Sequence, residues 1–442
     1  MDNTETNLEL KIDSLAYGGS GVGRLPEGKV VFVPLTAPGD VIRFRKVRER
    51  KGYIEGEMVE LISPSPLRQE APCPAFGDCG GCAWQHLPYE QQLKEKESIF
   101  RETLWRLGTV ERGRIDPVVP SPESLNYRNR AQFKASYVEG RLHLGFYRRK
   151  SHDLIDIGDC PLMSPLINKL MSQFKSLLAG APFRARMSQI DISVDDKDTK
   201  ATAIIHITTR PTGEDRAFAE KSLDSLSCLN GLFFKSGQKR SLTAISVREG
   251  GKLSYSLPMP GDAEGLDMAF SSGGFTQVNY LQNRALISHV LDFLKGRDIG
   301  RALDLFCGIG NFSLPLAALA GEVIAVEDYA PAIEDAKLNA LSAGIGNCRF
   351  FAADARQFVR KEDLNSFDLV LLDPPREGAA SIAKQLASSD VPQIIYVSCN
   401  ATTLARDLRL LTRKGYCITR CTPFDLFPQT GHIESVTLIE KG

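Results

Sequence analysis

The stretch "GRALDLFCGIGNF", residues 300–312, decides the fold expected for the C-terminal part of the chain. Its apolar run is typical of a buried strand, and its glycines form a loop before a helical segment. Three later apolar runs alternate with helical patterns: "GEVIAVED" (321–328), "FDLVLLDPP" (367–375) and "QIIYVSC" (393–399). Strands that alternate with helices predict a parallel α/β sheet of the Rossmann-like type.

The loop after the first strand is a candidate nucleotide site. Gly308 and Gly310 let the backbone turn tightly and approach a ligand closely. Glu327 ends the next strand, where a carboxylate can accept hydrogen bonds from ribose hydroxyls. The third glycine of the dinucleotide pattern is missing, because Asn311 and Phe312 follow. These features indicate an adenosine-bearing cofactor; a glycine loop needed for packing alone is the alternative.

Two reactive side chains end later strands. Asp373 lies in "LLDPPREG" and Cys399 in "YVSCN". Strand ends of an open α/β sheet share one crevice, so both side chains should open into the ligand site. Cys399 also precedes a helical segment, and a helix N-terminus is a setting that lowers the pKa of a thiol. Its alternative role is that of a small residue packed at a turn.

A candidate general base lies near the end of the chain, in "GHIES". Glu434 precedes the closing strand, and a positioned base typically contributes about 100- to 10,000-fold in rate. A surface acid at a strand start is the alternative for Glu434. His432 is a rival base two residues earlier.

Basic residues concentrate in two segments of a chain whose lysines plus arginines equal its aspartates plus glutamates, 54 each. Residues 7–63 predict short strands of a small β-barrel, and residues 41–52 hold six basic residues against Glu49. That barrel face binds RNA or is merely solvated. Residues 127–150 predict a hairpin in which seven basic residues face one acid, Glu139. Interleaved aromatic and basic residues suit stacking on bases and pairing with phosphates.

Ten cysteines in a reducing compartment are ligands, reactive thiols or buried small residues rather than disulfides. Cys73, Cys79 and Cys82 form a C-x5-C-x2-C group, with Cys160 as a candidate fourth ligand. Four thiolates suit zinc or an iron-sulfur cluster, and a third interpretation is that these four cysteines are buried thiols without a metal. We expect the other five besides Cys399 to be small buried residues: Cys228, Cys307, Cys348, Cys417 and Cys421.

Length and composition limit the number and the class of domains that the chain can form. A chain of 442 residues with 43% apolar content predicts about three folded domains. The polar start has no leader pattern, and no stretch reaches transmembrane length, so a cytoplasmic location without a membrane partner is expected. Four prolines in residues 63–74 mark a linker.

The motifs "DLFCGIGNF", "LLDPPREG", "YVSCN" and "GHIES", in this order, closely resemble those of RNA uracil-5-methyltransferases, over nearly the whole chain. The resemblance implies a multidomain protein in three parts. Residues 1–64 would form an OB-like TRAM β-barrel that binds RNA. Residues 65–270 would form a central α+β domain with an iron-sulfur site, whose helical part at about 90–125 packs on the catalytic domain. Residues 271–442 would form a class I methyltransferase domain that uses S-adenosyl-L-methionine.

The resemblance also assigns roles to residues. Cys399 would add to carbon 6 of a flipped uracil, and Glu434 would later remove the carbon-5 proton. The residues expected to bind the cofactor are Gln277, Phe306, Asn311, Glu327, Asp354 and Asp373. Cys73, Cys79, Cys82 and Cys160 would hold a [4Fe-4S] cluster, as in the ribosomal RNA branch of the family. The roles of Phe275 and Arg376 stay open.

The resemblance favours 23S rRNA as the target, with tRNA as the alternative, because bacterial tRNA members usually lack the barrel and the cysteine group. We expect the protein to be a monomer. An RNA cytosine-5-methyltransferase is a rival, but that class carries a cysteine within the Asp-Pro-Pro motif, where Arg376 stands here. An iron-sulfur oxidoreductase with a nicotinamide site would have no use for Cys399 and the basic hairpin together. The complete set of reactive residues argues against a non-enzymatic RNA-binding protein.

Overall fold

The computed structural model describes residues 8–107, 110–236 and 241–442. Residues 1–7, part of the polar N-terminal segment from which we expect no leader peptide, lie outside these ranges. Within them, no helix combines the length and the apolar character needed to cross a membrane.

The N-terminal sheet has the strand order β1-β5-β6-β4-β3-β2 around its own apolar core. This core forms because side chains alternate between the two faces of each strand, and in β5 Ile42 and Phe44 point inward and are fully buried. The strands are β1 (Leu8–Lys11), β2 (Ser14–Leu15), β3 (Gly21–Arg24), β4 (Val30–Val33), β5 (Val41–Glu49) and β6 (Tyr53–Ser63). The predicted run of strands is therefore confirmed over residues 8–63, although β5 and β6, with 9 and 11 residues, are longer than the short strands expected.

A helix and a second sheet follow. Helix α1 (Tyr89–Arg106) packs Ile99, Phe100 and Leu104 into the core of the C-terminal part. The central sheet has the order β13-β12-β11-β10-β7-β8-β9, with only β11 and β12 parallel. Its elements are β7 (Arg130–Val138), β8 (Arg141–Tyr147), β9 (Leu154–Asp156), α2 (Pro165–Leu178), β10 (Met187–Val194), β11 (Ala201–Ile207), α3 (Gly213–Ser225), β12 (Leu229–Ser236) and β13 (Ser241–Val247). The predicted basic hairpin is β7 and β8.

Two further strands, β14 (Lys252–Met259) and β15 (Asp262–Ser271), form a separate antiparallel hairpin. Its apolar residues share a core with the C-terminal sheet, and Tyr255 stacks on Tyr280 of helix α4 (Tyr280–Leu294), with ring centroids 4.9 Å apart. The hairpin therefore packs across the division expected at residues 270 and 271.

The C-terminal sheet has the order β18-β17-β16-β19-β20-β22-β21. Its first five strands are parallel, and β22 and β21 are antiparallel additions at one edge. The elements are β16 (Ile299–Leu305), α5 (Ser313–Ala317), β17 (Ala320–Glu327), α6 (Ala330–Ser342), β18 (Cys348–Ala352), α7 (Ala355–Val359), β19 (Leu369–Leu372), α8 (Ala380–Leu386), β20 (Gln393–Ser398), α9 (Ala401–Thr412), β21 (Tyr416–Phe424) and β22 (Glu434–Lys441). The predicted Rossmann-like sheet is confirmed.

Candidate active site

The parallel strands β16, β17, β19 and β20 end at one edge of the sheet, beside a cavity of about 630 Å³. A ligand is expected there, because the strand order reverses between β16 and β19. Seven of the eight predicted catalytic and cofactor residues line this active-site cavity: Gln277, Phe306, Asn311, Glu327, Asp373, Cys399 and Glu434. The sequence thus predicted a set of residues that the fold brings together.

The eighth residue, Asp354, is not among the described residues lining the cavity. Its carboxylate accepts the backbone N–H of Gln357 at 3.0 Å and so caps α7. It also pairs with Arg356 at 2.7 Å, which lowers the pKa of Asp354. In this structure the side chain is occupied by local contacts.

The glycine loop is held against the sheet by its backbone. The N–H groups of Phe306 and Cys307 both donate to the carbonyl of Val326, and Gly308 N–H donates to Glu327 at 3.2 Å. Phe306 has a φ of +68°, in the left-handed region that costs a non-glycine residue about 1–3 kcal/mol. Such strain is concentrated at functional sites, where surrounding contacts maintain it.

Asn311 is fixed from outside the loop. It exchanges two amide hydrogen bonds with Asn283, at 2.9 and 3.1 Å, and accepts the hydroxyl of Tyr255 at 3.0 Å. Tyr255 and Asn283 belong to β14 and α4, so the hairpin and helix before the sheet support its ligand loop. The sequence carries no local signal for these partners.

Cys399 follows β20 and precedes α9, as predicted. Asn400 caps α9 by accepting the N–H groups of Thr402 and Thr403, and it donates to the carbonyl of Arg376 at 3.3 Å. The expectation of a lowered thiol pKa is wrong, because burial and the charges of Glu434 and Asp373 raise the pKa of Cys399 to about 11. The thiol is therefore mostly protonated near neutral pH.

Glu434 begins β22, and only 3% of the residue is exposed. The alternative of a surface acid is therefore wrong. Burial and the nearby charge of Asp373 raise the pKa of Glu434 well above its usual value. His432, the rival base, also lines the active-site cavity but is exposed.

A cluster of carboxyl groups surrounds the same edge. Burial raises the pKa of Asp373 to about 7, with Glu327 adding to the effect, and it raises the pKa of Asp304 to about 7. Burial also raises the pKa of Glu327. Asp304 is fully buried and accepts the hydroxyl of Ser313. Carboxyl groups that destabilise one another's charge favour a cationic ligand.

The four predicted ligand cysteines line a second cavity of about 540 Å³, the cysteine cavity. Burial raises the pKa of Cys82 to about 12, and charges on the other three add to it, so the four thiols are neighbours. Among the described residues, no group of three or more His, Cys, Asp or Glu side chains is arranged to hold a metal ion, so the structure does not show the predicted cluster. The two cavities adjoin, because five residues line both: Phe275, Thr276, Arg376, Phe427 and His432.

Of the five cysteines expected to be small buried residues, Cys307 and Cys421 are buried. Cys228 and Cys348 are partly buried, and Cys417 is exposed, so the prediction is wrong for Cys417. Cys417 lies on the edge strand β21, where alternate residues face outward.

One neighbour of Cys399 comes from the other end of the chain. The hydroxyl of Tyr17, in the turn between β2 and β3, donates to the carbonyl of Cys399 at 3.5 Å. Gly431 packs so closely on Gly18 and Gly19 that a Cβ there would lie within 3.0 Å of their backbones. The N-terminal sheet thus touches the active site, and no local pattern could have indicated a contact over 382 residues.

Fold and site together define an α/β methyltransferase with an attached TRAM domain. A family model described as tRNA (Uracil-5-)-methyltransferase matches residues 88–442. A second, described as the TRAM domain of tRNA (uracil(54)-C(5))-methyltransferase, matches residues 8–67. The chain belongs to the family of RNA uracil-5-methyltransferases.

Known proteins are similar over almost the full length. The 23S rRNA (uracil(1939)-C(5))-methyltransferase RlmD of Alkalilimnicola ehrlichii is 33% identical over 440 residues, covering 98% of this chain and 96% of that protein. RlmD of Methylococcus capsulatus is 35% identical over 445 residues, covering 97% and 96%. The crystal structure of Pyrococcus abyssi tRNA (uracil-54, C5)-methyltransferase in complex with S-adenosyl-L-homocysteine has a TM-score of 0.76 at 23% identity, covering 98% of this chain and 100% of that chain. That likeness is one of fold.

Proposed function

We propose that this protein methylates carbon 5 of a uridine in 23S rRNA, with S-adenosyl-L-methionine as methyl donor. The observation that carries the proposal is the meeting of Cys399, Glu434 and the glycine loop at one cavity. The choice of 23S rRNA is supported by relatives of that name, which match nearly the full chain. The family description and the fold neighbour make tRNA the second candidate.

The residues of the cavity fit the donor. Its sulfonium and amino groups are positively charged, which suits a site whose carboxyl groups raise one another's pKa. We propose that the donor is held by Gln277, Phe306, Asn311, Glu327 and Asp373, whereas Asp354 would first have to leave Arg356 to reach it. When bound, the donor supplies the methyl group.

The reaction needs a nucleophile because carbon 5 of uracil is too weakly nucleophilic to take a methyl group unaided. Cys399 Sγ forms a bond to carbon 6, its proton leaves to solvent, and the electron pair of the carbon 5–carbon 6 bond becomes an enolate. Carbon 5 then forms a bond to the methyl carbon as the methyl–sulfur bond breaks, and the electron pair of that bond stays on the sulfur of the product S-adenosyl-L-homocysteine. The Glu434 carboxylate removes the carbon-5 proton, the double bond reforms and the Cys399 thiolate leaves. Proton transfer from Glu434 to Cys399 restores the starting state, so one proton is released per methyl transferred.

We also propose a [4Fe-4S] cluster on Cys73, Cys79, Cys82 and Cys160. All four line one cavity, and four cysteine thiolates are the usual ligands of such a cluster. Four thiolates suit zinc as well, and the cluster is preferred because the cysteine spacing resembles that of the ribosomal RNA branch of the family. Its role would be structural, because Arg149 of the basic hairpin region donates to the carbonyl of Cys82 at 3.0 Å.

The three parts of the chain would have different roles. We propose that residues 1–64 and 65–270 hold RNA, that residues 271–442 carry out the chemistry, and that one chain suffices.

Transfer of a labelled methyl group tests the function. The protein, incubated with labelled S-adenosyl-L-methionine, should label 23S rRNA transcripts at carbon 5 of one uridine and tRNA transcripts far less. Cys399→Ala should abolish labelling, whereas Cys417→Ala, an exposed thiol, should not change it. Absence of label in both RNAs would contradict the proposed activity, and preferential labelling of tRNA would make tRNA the target.

A further inference from the structure

The loop between β21 and β22, residues 425–433, leads directly into Glu434. We call it the β21–β22 loop. Its Phe427 and His432 line both the active-site cavity and the cysteine cavity. Most of the loop is buried although it has no strand or helix of its own. Its position is therefore set by contacts with other parts of the chain.

One contact is an ion pair at the base of the loop. Lys96 Nζ, on α1, donates to Asp425 at 2.5 Å and to the carbonyl of Phe427 at 3.0 Å. The side chains of Lys96 and Asp425 are both 0% exposed. A buried charge is strongly destabilising without its partner, so each side chain holds the other in place.

A second contact holds the middle of the loop. Gln92, one turn before Lys96, donates to Gln429 Oε1 at 2.8 Å and accepts the backbone N–H of Gln429 at 2.9 Å. The N–H groups of Ala83 and Trp84 both donate to the carbonyl of Gln429, at 3.0 and 3.1 Å. Gln429 has a φ of +68°, a conformation that a non-glycine residue keeps only when surrounding bonds enforce it.

We propose that Lys96 and Gln92 are positioning residues for the methylation reaction: through the β21–β22 loop they hold Phe427 and Glu434 in the active-site cavity. This inference rests on the proposed function. Among the described residues that line the two cavities, neither Lys96 nor Gln92 occurs, so both act through the loop. A shift of about 1 Å at a reacting group can cost roughly 100-fold in rate.

The test replaces the ion pair by apolar side chains of similar size, in Lys96→Met/Asp425→Leu. Removing both charges avoids the penalty of one unpaired buried charge, so the thermal unfolding midpoint should stay near that of the wild type. We expect kcat to fall roughly 10- to 100-fold while KM for RNA changes less than about threefold. A covalent protein–RNA adduct should accumulate on denaturing gels, because removal of the carbon-5 proton by Glu434 becomes slow.

Two further variants make the result decisive. Lys94→Met changes an exposed lysine on the same helix and should match the wild type in every measurement. Gln92→Met leaves the ion pair intact and should show the same adduct with a smaller loss of kcat, and it decides the matter if the double variant does not fold. Wild-type kcat and no adduct in folded Gln92→Met and double variants would overturn the positioning role alone. A wild-type protein that methylates no RNA would overturn the proposed function and this inference with it.

Discussion

Cys399 lies in surroundings that oppose its ionisation. The helix N-terminus behind it favours a thiolate, but burial and two nearby carboxylates act in the other direction and raise its pKa to about 11. Arg376 lowers the pKa but does not compensate. A protonated thiol is protected from adventitious alkylation and oxidation until a substrate enters. The free energy needed to ionise the Cys399 thiol is then part of the activation barrier of the reaction.

The first prediction concerns that thiol. In the free protein, alkylation of Cys399 by iodoacetamide should be slow near neutral pH and should rise toward pH about 11. Glu434→Gln removes a charge that raises the pKa of Cys399, so it should accelerate alkylation at about pH 9. Mass spectrometry of the Cys399 peptide measures the rate, with the exposed Cys417 as internal standard. Full reactivity of Cys399 at about pH 7 would contradict the prediction.

The second prediction concerns Asp304. Its folded-state pKa of about 7 lies above the usual carboxyl value of 3.8, so the folded protein binds more protons than the unfolded chain between these values. The free energy of unfolding therefore falls as pH rises through this window. Asp304→Asn removes that loss, and its stability relative to wild type should improve by something on the order of 2 kcal/mol from about pH 5 to about pH 8. Urea unfolding at both pH values measures it; a difference independent of pH would show that Asp304 does not titrate there.

The two glycines of the loop after β16 are needed for different reasons, one for packing and one for space beside the ligand. Gly310 has a φ of +92°, and an added Cβ would lie 3.1 Å from the Leu314 side chain. Gly308 has a φ of +55°, and an added Cβ would meet nothing within 4 Å. Gly310 is thus needed for packing, and Gly308 borders the space where a ligand would lie.

The third prediction follows from this difference. Gly310→Ala should lower the free energy of unfolding by about 1–3 kcal/mol, because alanine is strained at that φ and crowds Leu314. Gly308→Ala should cost about 1 kcal/mol or less but should weaken S-adenosyl-L-methionine binding, since its methyl group enters the cavity. Thermal unfolding and titration calorimetry separate the effects. The reverse ranking, with Gly308→Ala the less stable and Gly310→Ala the weaker binder, would refute this division.

The sequence predicts those structural elements that are determined by residues close to one another in the chain. The strands and the Cys399 turn follow from apolar runs and from glycine and asparagine at their ends. The support of Asn311 by Tyr255 and the ion pair between Lys96 and Asp425 were not predictable, because they join residues far apart in sequence. The pKa of Cys399 was wrongly predicted for the same reason, since Glu434 approaches it only in the folded sheet.

The two basic segments differ in how far their positive charge is neutralised by nearby carboxylates. Arg43 and Arg45 of β5 pair with Glu60 and Glu57 of the adjacent strand β6. The N-terminal sheet therefore presents less free positive charge than its sequence indicates.

The basic hairpin region keeps more of its charge. Of its seven basic residues, only Arg148 pairs with a carboxylate within the described ranges, that of Asp78. Arg141, at the start of β8, and Lys150, just after the end of β8, are both exposed. Because neighbouring carboxylates reduce the net positive charge that a phosphate meets, RNA affinity should depend more on this region than on β5.

The last prediction tests this with salt. RNA affinity of the wild type should fall steeply between low and moderate salt, since each phosphate contact contributes a slope of about −0.7 to −0.9 in log affinity against log salt. Arg141→Gln/Lys150→Gln should reduce that slope by about one to two units, because each removed cation leaves one phosphate of the RNA unpaired. Arg43→Gln/Arg45→Gln removes the same number of cations but should change the slope much less, because Glu60 and Glu57 already neutralise them. Filter-binding titrations at several salt concentrations measure all three proteins. A larger reduction in the Arg43 and Arg45 variant would mean that RNA breaks those ion pairs and binds mainly across the N-terminal sheet.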